Sequence, residues 1–121
     1  MLIAYWILAA VLALIFIASG STKIARPKAA LASTGMKYVE EFSGSQVKSI
    51  GAVEIVGAVG LVVPRLTEVA SILAPIAALG LAALMAAAVA VHVRRQEDYR
   101  APLALAVLSV VTALVGFLSL A

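Results

Sequence analysis

The sequence predicts an all-α membrane protein, a bundle of four transmembrane helices, and three observations carry that prediction. Hydrophobic residues make up 64% of the chain, against roughly half in an ordinary soluble domain. Charged residues make up 12%, about half the usual share, which is too few to cover a surface facing water. The charges also lie between long apolar runs, where the flanking charges of membrane proteins belong.

The first run, residues 2–19, carries no charge and is long enough to span a bilayer. Its small residues Ala18, Ser19 and Gly20 would suit a signal-peptide cleavage site, but a signal peptide carries Lys or Arg ahead of its apolar stretch. Here none precedes it, and Lys23, Arg26 and Lys28 follow, so a retained helix is expected. The second span is 46–63, in which SIGAVEIVGAVGLVV gains a turn from 46–48 with Ser45 as N-cap. An alanine-rich third span, 72–93, holds Pro75 near its start. The fourth, 101–121, has Pro102 in its first turn, where proline is tolerated. The expectation is a single four-helix domain over 1–121, with no soluble domain and no long tail.

Charge placement predicts orientation. Lys23, Arg26, Lys28, Lys37 and Lys48 belong to the first connection and Arg94, Arg95 and Arg100 to the third, whereas the second holds only Arg65. Four helices put the first and third connections on one side, so Lys and Arg divide eight against one. The positive-inside rule makes that side cytoplasmic, with both termini outside. Tyr5 and Trp6 are then expected in the outer aromatic belt. Within the long first connection, Gly35 and Gly44 bracket KYVEEF. That stretch reads either as an ordered loop lying over the bundle or as a short interfacial helix with Tyr38, Val39 and Phe42 in lipid and Lys37, Glu40 and Glu41 in water.

The feature demanding explanation is Glu54, a carboxylate inside the second span. It lies six residues beyond Lys48, roughly 9 Å deeper along a helix. Gly51, Gly57, Ala58 and Leu61 share its side of the helical wheel, with Gly60 one residue short of Leu61. Small residues are what membrane helices place at mutual contacts, so Glu54 should face the bundle interior. Lys23 and His92 enter at similar depth from the same side. His92 shares a face with Ala74, Ala78, Leu81, Met85 and Ala88. A cluster of Lys23, Glu54 and His92 would lower the cost of an intramembrane charge. Two readings of the trio stand: a polar pocket for a headgroup, a quinone or a proton, or a buried ion pair pinning the first connection onto the helices. For His92 alone, a flanking interfacial residue beside Arg94 and Arg95 is the simpler reading.

Several functions are excluded by composition. The absence of cysteine removes disulfides, iron–sulfur clusters and thiolate zinc sites. One histidine is too few for a histidine-built metal centre, so no metal is expected. The net charge of +3 is spent at the membrane flanks, and no nucleic-acid partner is expected.

The ending SGSTK of the first span, GAVEIVGAVGLVVP in the second and AVHVRRQE closing the third together resemble the DoxX-like family of small four-helix membrane proteins. The family's motif positions fall on Gly20 and Lys23, on Glu54, Gly57 and Gly60, on Pro64 and on His92. The resemblance implies either an accessory, scaffold or assembly subunit of a cell-membrane complex, or the membrane subunit of a quinone-linked oxidoreductase of the thiosulfate:quinone type. In the second case Lys23, Glu54 and His92 would surround the quinone head, and a partner would supply the redox centre, since this chain has no ligand for one. A third reading, a small proton-coupled multidrug exporter, matches in size, but such exporters carry their glutamate in the first helix and this chain does not. No built-in cofactor is expected, quinone or lipid being the candidate ligands. The expected partners are the lipid bilayer and a membrane protein, either a different one or a second copy.

Overall fold

A computed structural model describes residues 1–33 and 36–120, and its elements are all helical. Four helices are long and apolar enough to cross a membrane: α1 (Leu2–Ala25), α3 (Gly44–Thr67), α4 (Leu73–Arg94) and α5 (Arg100–Leu118). A short helix α2 (Lys28–Ser33) and a 3₁₀ turn (Lys37–Glu41) join α1 to α3. Gly35 and Ala121 lie outside the described residues.

Each spanning helix packs mainly on two neighbours, in the cyclic order α1, α3, α4, α5, with the largest contacts between α1 and α3 and between α4 and α5. All neighbours run antiparallel, since Gly20 meets Gly51 while Tyr5 meets Leu61, and Gly60 meets Ala77 while Gly116 meets Pro75. The core is a column of small and aliphatic side chains with two aromatics, Tyr5 and Phe16. Exposed Leu, Ile and Val side chains run along all four helices. That outer surface suits lipid and would be untenable in water.

Helix boundaries differ from those read in the sequence, for local reasons. Helix α1 continues past Ser19 to Ala25, so Lys23 stands on the helix itself. It stops because Arg26 precedes Pro27 and takes the extended conformation proline imposes (φ −106°, ψ 144°). The N-cap of α3 is Ser43, not Ser45. Ser43 Oγ accepts from the Gln46 amide at 3.1 Å and Gln46 Oε1 accepts from the Ser43 amide at 2.9 Å. This reciprocal pair requires glutamine three residues after the serine, which only Ser43 has. Pro75 and Pro102 each sit in a first turn, where the missing N–H has no helical partner to lose.

In the first connection, Val39, which the interfacial-helix reading put in lipid, is fully buried with Leu31 and Val47 in a small cluster of its own, as a loop lying over the bundle would have it. Tyr38 and Phe42 turn inward as well, onto the bundle end, while Lys37 and Glu40 are exposed. Tyr5 likewise leaves the expected belt. It is fully buried, donates its hydroxyl to the Leu61 carbonyl at 2.6 Å and lies under the Arg65 guanidinium, 4.6 Å from ring centroid to Cζ. A hydroxyl at this depth gains more from a backbone carbonyl than from the membrane surface.

Candidate functional site

The site is built where α1 and α3 come closest. A Cβ added to Gly20 would stand 2.5 Å from the Gly51 carbonyl oxygen, and one added to Gly51 would stand 2.7 Å from the Gly20 oxygen. The two backbones therefore touch, which only glycine permits. One turn beyond each glycine, this approach brings Lys23 and Glu54 together. Lys23 Nζ donates to Glu54 Oε1 and, at 3.2 Å, to Ser19 Oγ. Between α3 and α4, Gly57 and Gly60 make room for side chains instead: a Cβ there would meet the Leu81 side chain at 2.6 Å and the Ala77 Cβ at 2.8 Å.

Both members of the ion pair are buried, Lys23 to 5% exposure and Glu54 to 0%. Such a pair offsets its desolvation only through close contact and further hydrogen bonds. Glu54 is half served in this respect. Its Oε2 is buried without a hydrogen-bond partner among the described residues.

Glu54 forms part of the wall of a cavity of about 320 Å³ at the basic end of the bundle. That volume is at the lower end of the range for small-molecule sites. Ser19, Lys23, Tyr38, Glu54 and His92 supply its polar lining, and Phe16, Phe42, Leu84, Met85 and Leu105 are among its apolar walls. Ala87 and Ala101, both exposed, stand at the rim. The structure thus brings all three sequence-derived residues, Lys23, Glu54 and His92, to one cavity. His92 does not join the ion pair by a hydrogen bond among the described residues. Its Nδ1 lies 2.7 Å from the Ala88 carbonyl, and its ring stacks at a tilt on Tyr38, 4.9 Å between centroids. The Tyr38 centroid is in turn 5.7 Å from Lys23 Nζ, so Tyr38 bridges the pair and the histidine. Sequence reasoning missed Tyr38 because KYVEEF read equally as an ordered loop over the bundle or as an interfacial helix, and neither reading aimed Tyr38 at a cavity. The alternation of Tyr38, Val39 and Phe42 with charged residues was the available signal, but it could not tell lipid from bundle.

The rim is held by charges at and between the ends of the spans. Arg95 reaches Glu40 at 3.7 Å and Glu97 at 3.0 Å, tying the 3₁₀ turn to the end of α4. Lys48 caps the exposed end of α1 by donating to the Ile24 carbonyl at 2.6 Å. Asp98 accepts from the Arg100 backbone amide at 2.9 Å and from Arg100 Nη2 at 2.9 Å. These hydrogen bonds to Arg100 hold the Asp98 carboxyl down to about 2.

A second polar cluster, unforeseen in the sequence, closes the opposite end. Arg65 Nη2 donates to the Gly116 carbonyl at 2.8 Å and to Ser119 Oγ, so its charge sits on the C-terminal end of α5, where a cation is favoured.

Comparison with protein families gives a match over residues 7–115 to the model of the DoxX-like family. The chain belongs to the DoxX-like family. The matched span takes in the glycine contacts, the Lys23–Glu54 pair and His92, and it fits a multi-pass membrane protein in a lipid bilayer. Comparisons with curated proteins and with solved structures gave no match.

Proposed function

We propose that this DoxX-like chain is a membrane subunit that holds the polar head of a lipid-soluble molecule in the Lys23, Glu54 and His92 cavity and performs no chemistry alone. One observation carries the reading: a fully buried carboxylate with one oxygen unpartnered forms part of the wall of a cavity of ligand size. A purely structural ion pair would be expected to use both oxygens, because an unmet buried acceptor costs about 1–3 kcal/mol. Apolar walls beside a polar end suit an amphipathic guest, a quinone or a lipid head being the candidates. Acid–base catalysis usually takes two positioned groups, and here the ion pair occupies two of the three.

The complex is placed in the cytoplasmic membrane, with the cavity opening on the cytoplasmic side. The eight-to-one division of Lys and Arg supports this orientation, and so does Arg65, the ninth, which is turned onto the end of α5. An accessory or scaffold role without a ligand is the second reading. It is favoured by the exposed small surface of α4 at Ala86 and Ala90, which another helix can approach closely; Ala82, in the same row, is buried inside the bundle.

Gentle purification followed by native mass spectrometry tests the pair of readings. A small apolar molecule should leave with wild-type protein and be missing from Ala87→Trp, which fills the rim. If the chain carries no such molecule and binds none added, the pocket reading falls and the scaffold reading stands. Quinone reduction or cation movement by the purified chain alone in liposomes would refute the subunit role.

A further inference from the structure

Where the cavity opens decides where its guest comes from. We infer that it is loaded sideways, from the leaflet at the basic end of the bundle, through the seam between α3 and α4. The guest's head lodges at the level of Lys23 and His92, and its tail trails back into the hydrocarbon. This rests on the pocket reading above and adds the route and posture of the ligand.

Helical register locates the opening. Gly57 meets Leu81 and Gly60 meets Ala77, so Ala77 and Leu81 mark the side of α4 that faces α3. The residues α4 gives the cavity are Leu84, Met85, Ala87, Ala88, Val91 and His92, and all lie within about 80° of Ala77 on a helical wheel. Pro75, which meets Gly116 of α5, lies on the far side of that wheel. On α3, Ile50 shares the side of Gly57 and also lines the cavity. The seam that is closed at Leu81 therefore becomes cavity wall toward the basic end. Two other ways in are shut. The backbones of α1 and α3 touch at Gly20 and Gly51, and Tyr38 and Phe42 lie across the end of the bundle, where Arg95 holds Glu40.

Depth and chemistry show what meets this mouth. Among the described residues, the only exposed members of the wall are Ala87 and Ala101, and no exposed polar side chain joins them. Ala87 stands seven residues before Arg94, roughly 10 Å deeper along the helix, where half the hydrocarbon core is about 15 Å thick. Its surroundings are lipid tails. Ala101 follows Arg100 at the surface and is the rival entrance, but the α5 residues behind it, Pro102 and Leu105, offer a water-borne solute no hydrogen bond. The polar groups sit higher than Ala87: Lys23 is in the last turn of α1 and His92 in the last turn of α4, with Phe16 and Leu84 below them. A guest held this way keeps the depth it has in the leaflet and slides in without turning over. A cavity of about 320 Å³ holds a small head and part of a chain, so the rest of a long tail leaves past Ala87.

Photolabelling of the full chain in nanodiscs tests the route. Two probes, a phenol and a glycerol monoether, carry the same dodecyl chain with a diazirine at its middle, and peptide mass spectrometry maps the label that excess unlabelled probe removes. That competed label should fall on α3 near Ile50 and Val53 and on α4 near Ala83 and Ala87. Ala87→Trp should lower it about tenfold or more, while Val110→Trp, on the lipid face of α5, should label like wild type. Competed label beside Ala101, or undiminished in Ala87→Trp, would overturn the route and leave the pocket reading standing. No competed label from either probe would overturn both.

Discussion

Cutting one partner from the Lys23–Glu54 pair should do more damage than cutting both. With side chains only 6% and 1% exposed, neither charge reaches water without a change of rotamer. Lys23→Met leaves a buried carboxylate with no cation, and Glu54→Gln leaves a buried ammonium facing an amide. Each belongs to the class of lesion that costs about 3–5 kcal/mol. Lys23 stands near the end of α1 and can swing outward, so Glu54→Gln should fall toward the low end. The double variant removes both charges, and replacing a buried ion pair by neutral groups is often close to neutral. If the double variant costs about 1 kcal/mol while the singles cost about 3 and 4, the coupling is about 6 kcal/mol, far above the roughly 0.5 kcal/mol scatter expected of independent sites. Unfolding in mixed micelles, following helix content against denaturing detergent, measures all four proteins under one condition. Additive effects would refute the reasoning, and with it the view that the glycine approach exists to bring these two charges into contact.

Gly20→Ala and Gly51→Ala should each cost about 1–3 kcal/mol, as overpacking does, because the new Cβ meets the opposing backbone at 2.5 and 2.7 Å; Gly80→Ala, with nothing within 4 Å, should be neutral or slightly stabilising in the same unfolding assay. Ser43→Ala removes a capping box and should cost about 1 kcal/mol, with faster amide exchange in the first turn of α3. For Asp98, whose folded value is lowered from 3.8 to about 2, the contribution to stability is small because the pair is exposed to water; it is present above the ordinary carboxyl range and is lost as pH falls through the window between those values. Asp98→Asn should then leave the melting temperature nearly unchanged at any pH, since the group is exposed, and a carbon-detected titration of wild type should place its midpoint well below that of an ordinary aspartate. Alkaline phosphatase fused after Ala121 should be active and a green fluorescent protein there dark; the reverse pattern would overturn the proposed orientation.

The sequence by itself determined the class of fold and the neighbourhood of the site. Hydrophobic run length is a property of the chain alone, and a helix in lipid must satisfy its own backbone, so four runs meant four helices before any packing was known. The same locality placed Glu54 on a face with Gly51 and Ala58. It also put Lys23 and His92 at one end, because alternating spans return the first and third connections to the same side. What depended on contacts between distant residues was decided only in the tertiary structure. Tyr5 meets Leu61 and Arg65 meets Gly116 across more than fifty residues, and nothing in either local pattern distinguishes a buried aromatic from one in a lipid belt. The inward turn of Tyr38 depended on Val39 finding Leu31 and Val47, a pocket that exists only once α2 has folded back. Even the state of the buried carboxylate came from tertiary geometry: Lys23 reaches Glu54 Oε1 from another helix, and Oε2 is left buried without a hydrogen-bond partner among the described residues.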